Sequence, residues 1–249
     1  MTSLSPWARL VIGTIILVGI SVAVLTAAGV AQRRAVVTAS ARAGIQLAVV
    51  AAALRGVFVA PAAAIAVIVV MFGVATWTAT RRLATLAGAA RAVLTSCAAG
   101  ATVSIGLIVG LPVLDRGVRD LVAVSGIVFG ATMTAATLTG RRLAEGLHRR
   151  RDEIEAWLSI GATPRQAVAD VARSAVFEAL VPALDQTRTV GLVSLPGAFV
   201  GALLGGASAS GAARFQLAVL VGLLCAESIT AVLLAYQLGA PAVLPAPEL

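Results

Sequence analysis

At 249 residues, with 59% hydrophobic and 12% charged residues and a mean hydropathy of +1.00, the chain lies outside the soluble globular class. Its net charge of +8 comes from nineteen basic residues, all Arg, which cluster at the ends of apolar segments as topology-setting charges do, so no nucleic-acid partner is expected. Without Lys, a phosphate-binding loop of the G-x-x-x-x-G-K-[ST] type is excluded, and no ten-residue alternation suggests an outer-membrane barrel.

Seven apolar segments are predicted, each near the roughly 20 residues needed to cross about 30 Å of hydrocarbon as a helix. The expected fold class is an all-α polytopic membrane helix bundle: one transmembrane domain over 1–240, then a disordered Pro-rich tail, 241–249. Segment one covers about 10–30; its apolar core is longer than a signal peptide's usual ~7–15 residues, so it reads as an uncleaved anchor. Segment two covers 39–59, and Pro61 opens segment three, to about 79. Segments four and five cover 92–113 and 121–139. Segment six is long, 173–204, interrupted by Pro182 and Pro196; segment seven covers 215–238. Cys97 and Cys225 fall in separate apolar segments and read as small hydrophobes.

Arginines orient the bundle. With the N-terminus outside, the inner side holds Arg33, Arg34, Arg42, Arg81, Arg82, Arg91, Arg141, Arg142, Arg149–Arg151, Arg165 and Arg173. The outer side keeps Arg9, Arg55, Arg116, Arg119 and Arg214. This is a positive-inside bias. It places the loop 149–172 and the C-terminus in the cytoplasm, and the chain in the cytoplasmic membrane.

That loop, "RRRDEIEAWLSIGATPRQAVADV", is the only long charged stretch. Residues 152–160 have helical spacing, with Ile154, Trp157, Leu158 and Ile160 available for a buried stripe. Gly161 supplies a stop, Thr163 an N-cap, Pro164 a first helical position and Gln166 the far side of a capping box. The expectation is helix, tight turn, capped helix. From the residues alone, two readings stay open: a helix lying on lipid headgroups, or a knob for a cytoplasmic partner anchored by Trp157.

Glu178, Asp185, Arg188 and Glu227 fall in or near predicted spans, where charges are costly and commonly functional. Asp185 and Arg188 are spaced to pair, and Glu178 shares a face with Asp185. They either line a translocation path or merely neutralise one another. Gly197, Gly201 and Gly205 form two small-xxx-small steps suited to close helix packing or dimerisation. Pro196–Gly197 could instead mark a broken helix offering carbonyls to a solute.

Three motifs occur in order: "LSIGATPRQA", "LVPALD" and "TVGLVSLPG". They resemble those of the FetB-type iron-export permease family of ABC transporters, which includes plant aluminium-sensitivity membrane proteins. The likeness is strongest over 154–220, and Trp77 before Arg81–Arg82 also fits. Glu155, Ala156 and Gly161 match the loose Glu-Ala-Ala-x-x-x-Gly loop of such permeases, with Trp157 in place of the second Ala. The resemblance implies a homodimer of this chain with two copies of a separate cytoplasmic ATPase, which binds ATP and Mg; no cofactor is expected in this chain. It assigns coupling to Glu155, Trp157, Gly161, Thr163, Pro164 and Arg165, and a path or gate to Asp185, Arg188, Pro196 and Gly197. Export of iron or another metal is implied by the resemblance alone. Relatives' Met pair after the "LPG" is Ala198–Phe199 here, and their Gly-Asn-Ala-Met reads Gly130-Ala131-Thr132-Met133. Their last outer-loop Asp-Pro is replaced by Ser208–Ala209. The metal ligands thus stay unknown. A proton-driven transporter using Asp185 and Glu227, or a non-transporting scaffold, would suit the same residues.

Overall fold

The computed structural model describes residues 5–57, 61–110 and 117–241. Among the described residues the chain is helical, with α1 (Pro6–Ala27), α2 (Arg33–Val57), α3 (Pro61–Arg82), α4 (Ala89–Gly110), α5 (Val118–Arg149), α6 (Arg151–Ser159), α7 (Pro164–Thr189), α8 (Gly197–Leu204) and α9 (Ala209–Leu238). The span ends expected at 59 and 113, the outer Arg116 and tail residues 242–249 lie outside the described residues.

The chain divides into two compact units, Met1–Pro61 and Ala62–Leu249. In the first, Ser5 caps α1 by accepting from the Ala8 N–H, and Pro6 occupies a first-turn position where its missing N–H is harmless. Gly29, at φ 69°, turns the chain into α2.

The second unit packs α4, α5, α7 and α9 together. The α4–α9 contact depends on small residues. A Cβ on Gly100 would strike the Ala226 carbonyl and the Thr230 hydroxyl. The Ser104 hydroxyl donates to the Gly222 carbonyl across the same seam at 2.7 Å. With no water to satisfy backbone groups in hydrocarbon, such inter-helix bonds and close backbone approach replace the hydrophobic effect as the packing force. Toward the middle of α5, Phe72 and Phe129 meet at 5.3 Å between ring centres, beside buried Val124 and Val128. Toward its Arg-rich end a second cluster joins Leu83, Val93, Leu143, Leu147, Ile154, Val171 and Leu234.

Among the described residues, six helices, α1 to α5 and α9, are long and apolar enough to cross a membrane. The expected sixth span is corrected. It is one helix, α7, that runs from Pro164 straight through Pro182 to Thr189, then a break, then the short α8. Pro182 does not interrupt it. The break falls at 190–196, where Gly191 takes φ 79° and its N–H turns back to the Ser194 carbonyl at 2.9 Å. α5 is also longer than expected. Its 32 residues reach about 48 Å, so its last turns, with Arg141, Arg142, Glu145 and Arg149, project beyond a hydrocarbon core of about 30 Å.

Candidate functional site

From the projecting end of α5 the chain turns at Arg150 into α6 and reverses into α7. α6 is held by its own ion pairs. Arg150 grips Glu153 through two hydrogen bonds at 2.7 and 2.6 Å, and Arg151 reaches Glu155 at 2.7 Å. Arg150 draws the Glu153 carboxyl below its ordinary range, and Arg173 does the same to Asp170 through its hydrogen bond.

α6 stops in a Schellman motif. The Gly161 N–H donates to the Leu158 carbonyl and the Ala162 N–H to the Trp157 carbonyl, with Gly161 at φ 92°, where a side chain would be strained. Two residues later α7 opens with a complete capping box. The Gln166 N–H donates to Thr163 Oγ1 at 3.4 Å, and the Thr163 N–H donates to Gln166 Oε1 at 2.9 Å. Pro164 sits in the first turn. Helix, tight turn and capped helix therefore stand as the residues dictate, with the Schellman and capping-box bonds satisfying several of the orphan backbone groups at the corner. The elbow is stiff because its corner is hydrogen-bonded on both sides.

The expected buried stripe on α6 is corrected. Only Ile154, 2% exposed, enters the core. Trp157 is 49% exposed, and Ile160 is outside the helix and 74% exposed. Ile154 joins the buried cluster that holds Leu147 of α5 and Val168 of α7. The elbow thus presents an apolar tip, Trp157–Leu158–Ile160, on a charged stalk.

Arg165 is not at that tip. Its guanidinium lies 3.7 Å from the Tyr236 ring centre and donates to the Tyr236 carbonyl at 3.2 Å, fastening the start of α7 to the end of α9. The sequence offered no signal for this contact, 71 residues long-range.

Above the elbow, Glu178 binds Arg142 of α5 at 3.0 Å, and Arg142 also holds Glu145 at 3.0 Å. Glu178 and Asp185 are both exposed on α7, as their spacing suggests, and Glu178 finds an inter-helix partner in the guanidinium fork of Arg142. Asp185 and Arg188 pair as their spacing suggests, at 3.6 Å, with both side chains mostly exposed. Phe177, Val181, Asp185 and Arg188 follow one another at helical spacing on the exposed face of α7. Beyond the break, a Cβ on Gly197 or Gly201 would meet nothing within 4 Å. The nearest atoms to one on Gly205 belong to its own helix. Pro196 and Phe199 line a cavity of about 180 Å³ with Gln216, whose Oε1 is buried and has no hydrogen-bond partner among the described residues. Glu227 keeps one carboxylate oxygen buried and equally unpartnered. Among the described residues no three His, Cys, Asp or Glu side chains group as a metal site would need.

The apolar helices, together with a rigid polar elbow projecting between two of them, define a multi-pass membrane protein. The chain belongs to the family described as Uncharacterised protein family (UPF0014), matched over residues 7–241. It is 38% identical to the rice (Oryza sativa subsp. japonica) UPF0014 membrane protein STAR2 over 141 residues, 57% of this chain and 50% of that protein. It is 30% identical to UPF0014 membrane protein YjkA of Bacillus subtilis (strain 168) over 174 residues, 70% of each. Escherichia coli (strain K12) has a relative named "Probable iron export permease protein FetB", 29% identical over 65% of this chain and 62% of that one. The chain spans about half the length of the rice relative. No solved structure matches it.

Proposed function

We propose that this chain is the membrane-spanning permease subunit of an ABC transporter, working as a homodimer on two copies of a separate cytoplasmic ATPase that binds ATP and Mg. The observation that carries this is the elbow's tip. Trp157, Leu158 and Ile160 stay exposed on the Arg-rich, water-facing end of the bundle, on a corner locked by a Schellman turn and a capping box. Apolar side chains presented rigidly into water suit a partner's groove. Glu155, Gly161, Thr163 and Pro164 shape that tip, and Arg165 ties it to α9. A push on the elbow therefore travels into α7 and α9 together.

The solute's route follows from the exposed face of α7. A charged pair such as Asp185–Arg188 is poorly tolerated against lipid, so that face turns toward a second copy across a polar path. Pro196 and Gly197 at the helix break form its gate, and Gly197, Gly201 and Gly205 pack against the partner copy. Export of a metal ion is taken from the E. coli relative's name. The chain co-purified with its ATPase in vesicles is expected to give vanadate-sensitive hydrolysis coupled to solute flux. Trp157→Ala should leave the protein inserted and abolish the coupling; unchanged coupling would refute the assignment.

One observation favours a second reading, a proton-driven carrier: the unpartnered carboxylate oxygen of Glu227. Solute movement under an imposed pH gradient with no ATPase present, lost in Glu227→Gln, would establish it.

A further inference from the structure

Where α7 crosses α9 near the Arg-rich end, a groove of about 320 Å³ opens on the surface. One half is apolar, with Ala172 and Val176 of α7 facing Val232 and Ala235 of α9. The other half carries Arg165, Arg173 and Tyr236. Val232 and Tyr236 occupy the last turns of α9, so the groove straddles the boundary between hydrocarbon and headgroups, the depth that Tyr favours.

The charges at its mouth are unequal. Arg173 is already neutralised by Asp170 through a short hydrogen bond. Among the described residues no carboxylate pairs with Arg165. Its plane rests on Tyr236 and one N–H is taken by the Tyr236 carbonyl, which leaves its remaining N–H groups for an anion. The stacking also immobilises the guanidinium, so little rotamer freedom is lost when a ligand arrives.

We propose that this groove binds one anionic phospholipid of the inner leaflet, its phosphate on Arg165 and the start of an acyl chain against Val176 and Val232. The fit is of charge and of polarity: a net single positive charge at headgroup depth, continuous with an apolar channel in the hydrocarbon. Basic pockets between membrane helices on the cytoplasmic side recognise lipid headgroups on this principle. The inference needs only the membrane placement and stands apart from the ATPase reading. Because the groove is formed by the residue that joins elbow to α9, the lipid would brace that joint.

The test uses the full chain in nanodiscs of phosphatidylcholine with phosphatidylglycerol, with retained lipid counted by native mass spectrometry. The wild type is expected to keep one phosphatidylglycerol per chain in preference to phosphatidylcholine. Arg165→Gln should cut that preference about fivefold, as loss of one interfacial arginine implies. Val232→Trp, which fills the apolar half and leaves both arginines in place, should cut it similarly; Arg214→Gln should not. A wild type that retains no excess phosphatidylglycerol, as when part of this chain, a second copy or another protein fills the groove, overturns the proposal. So does a preference that survives both groove variants.

Discussion

Gly100 is the residue on which the α4–α9 seam turns, since the space a side chain would need is taken by the Ala226 carbonyl and the Thr230 hydroxyl. Gly100→Val is therefore expected to cost about 1–3 kcal/mol by overpacking, seen as a lowered thermal midpoint in detergent. Gly201→Val meets no atom of its own chain within 4 Å and should leave that midpoint unchanged while weakening association of two copies; an equal loss at both positions would contradict this. The two glycines look alike in the sequence. Their difference lies in what stands opposite, which no local pattern encodes. Gly161, Thr163 and Pro164 were legible for the converse reason: their roles are played out within a few residues of backbone. The partners of Arg165 and Glu178, Tyr236 and Arg142, could not be read locally because they come from other helices.

At the scale of the element, the elbow is predicted to be a separately tunable unit. Removing the Thr163 cap with Thr163→Ala should destabilise the first turn of α7 by about 1 kcal/mol, read as faster hydrogen exchange at the Gln166 amide with little change in the helices behind it. Its ion pairs set a pH response. The Glu153 and Asp170 carboxyls lie below their ordinary values in the folded elbow, so they contribute stability above the unfolded carboxylate range and lose it as pH falls through their lowered folded values. Trp157 fluorescence is expected to be flat from neutral to mildly acidic pH and to change only below the usual carboxylate range. A transition near pH 6 would assign the response to another group. These exposed pairs screen easily, so added salt should blunt the acid transition. The spans themselves were readable from apolar length. The fate of segment six was not. Pro182 removes one backbone donor, the one that would meet the Glu178 carbonyl, yet the helix continues to Thr189. The break instead falls where Gly191 adopts a left-handed backbone ahead of Pro196.

For the whole molecule, the parts describe a lever: a rigid tip, a stalk of α6, a fastening of α7 to α9 through Arg165 and Tyr236, and an exposed, charged face on α7. On the proposed function, a separate ATPase docked at the tip drives this lever. The direct measurement is cross-linking from Ile160→Cys, with Cys225 replaced by Ser, to the co-expressed ATPase subunit in intact cells. The expected result is a cross-link that survives a membrane-impermeant thiol blocker added outside and changes in yield when ATP is trapped with vanadate. A position 160 thiol that the outside blocker consumes, with no cross-link formed, would put the elbow on the wrong side of the membrane and contradict the account.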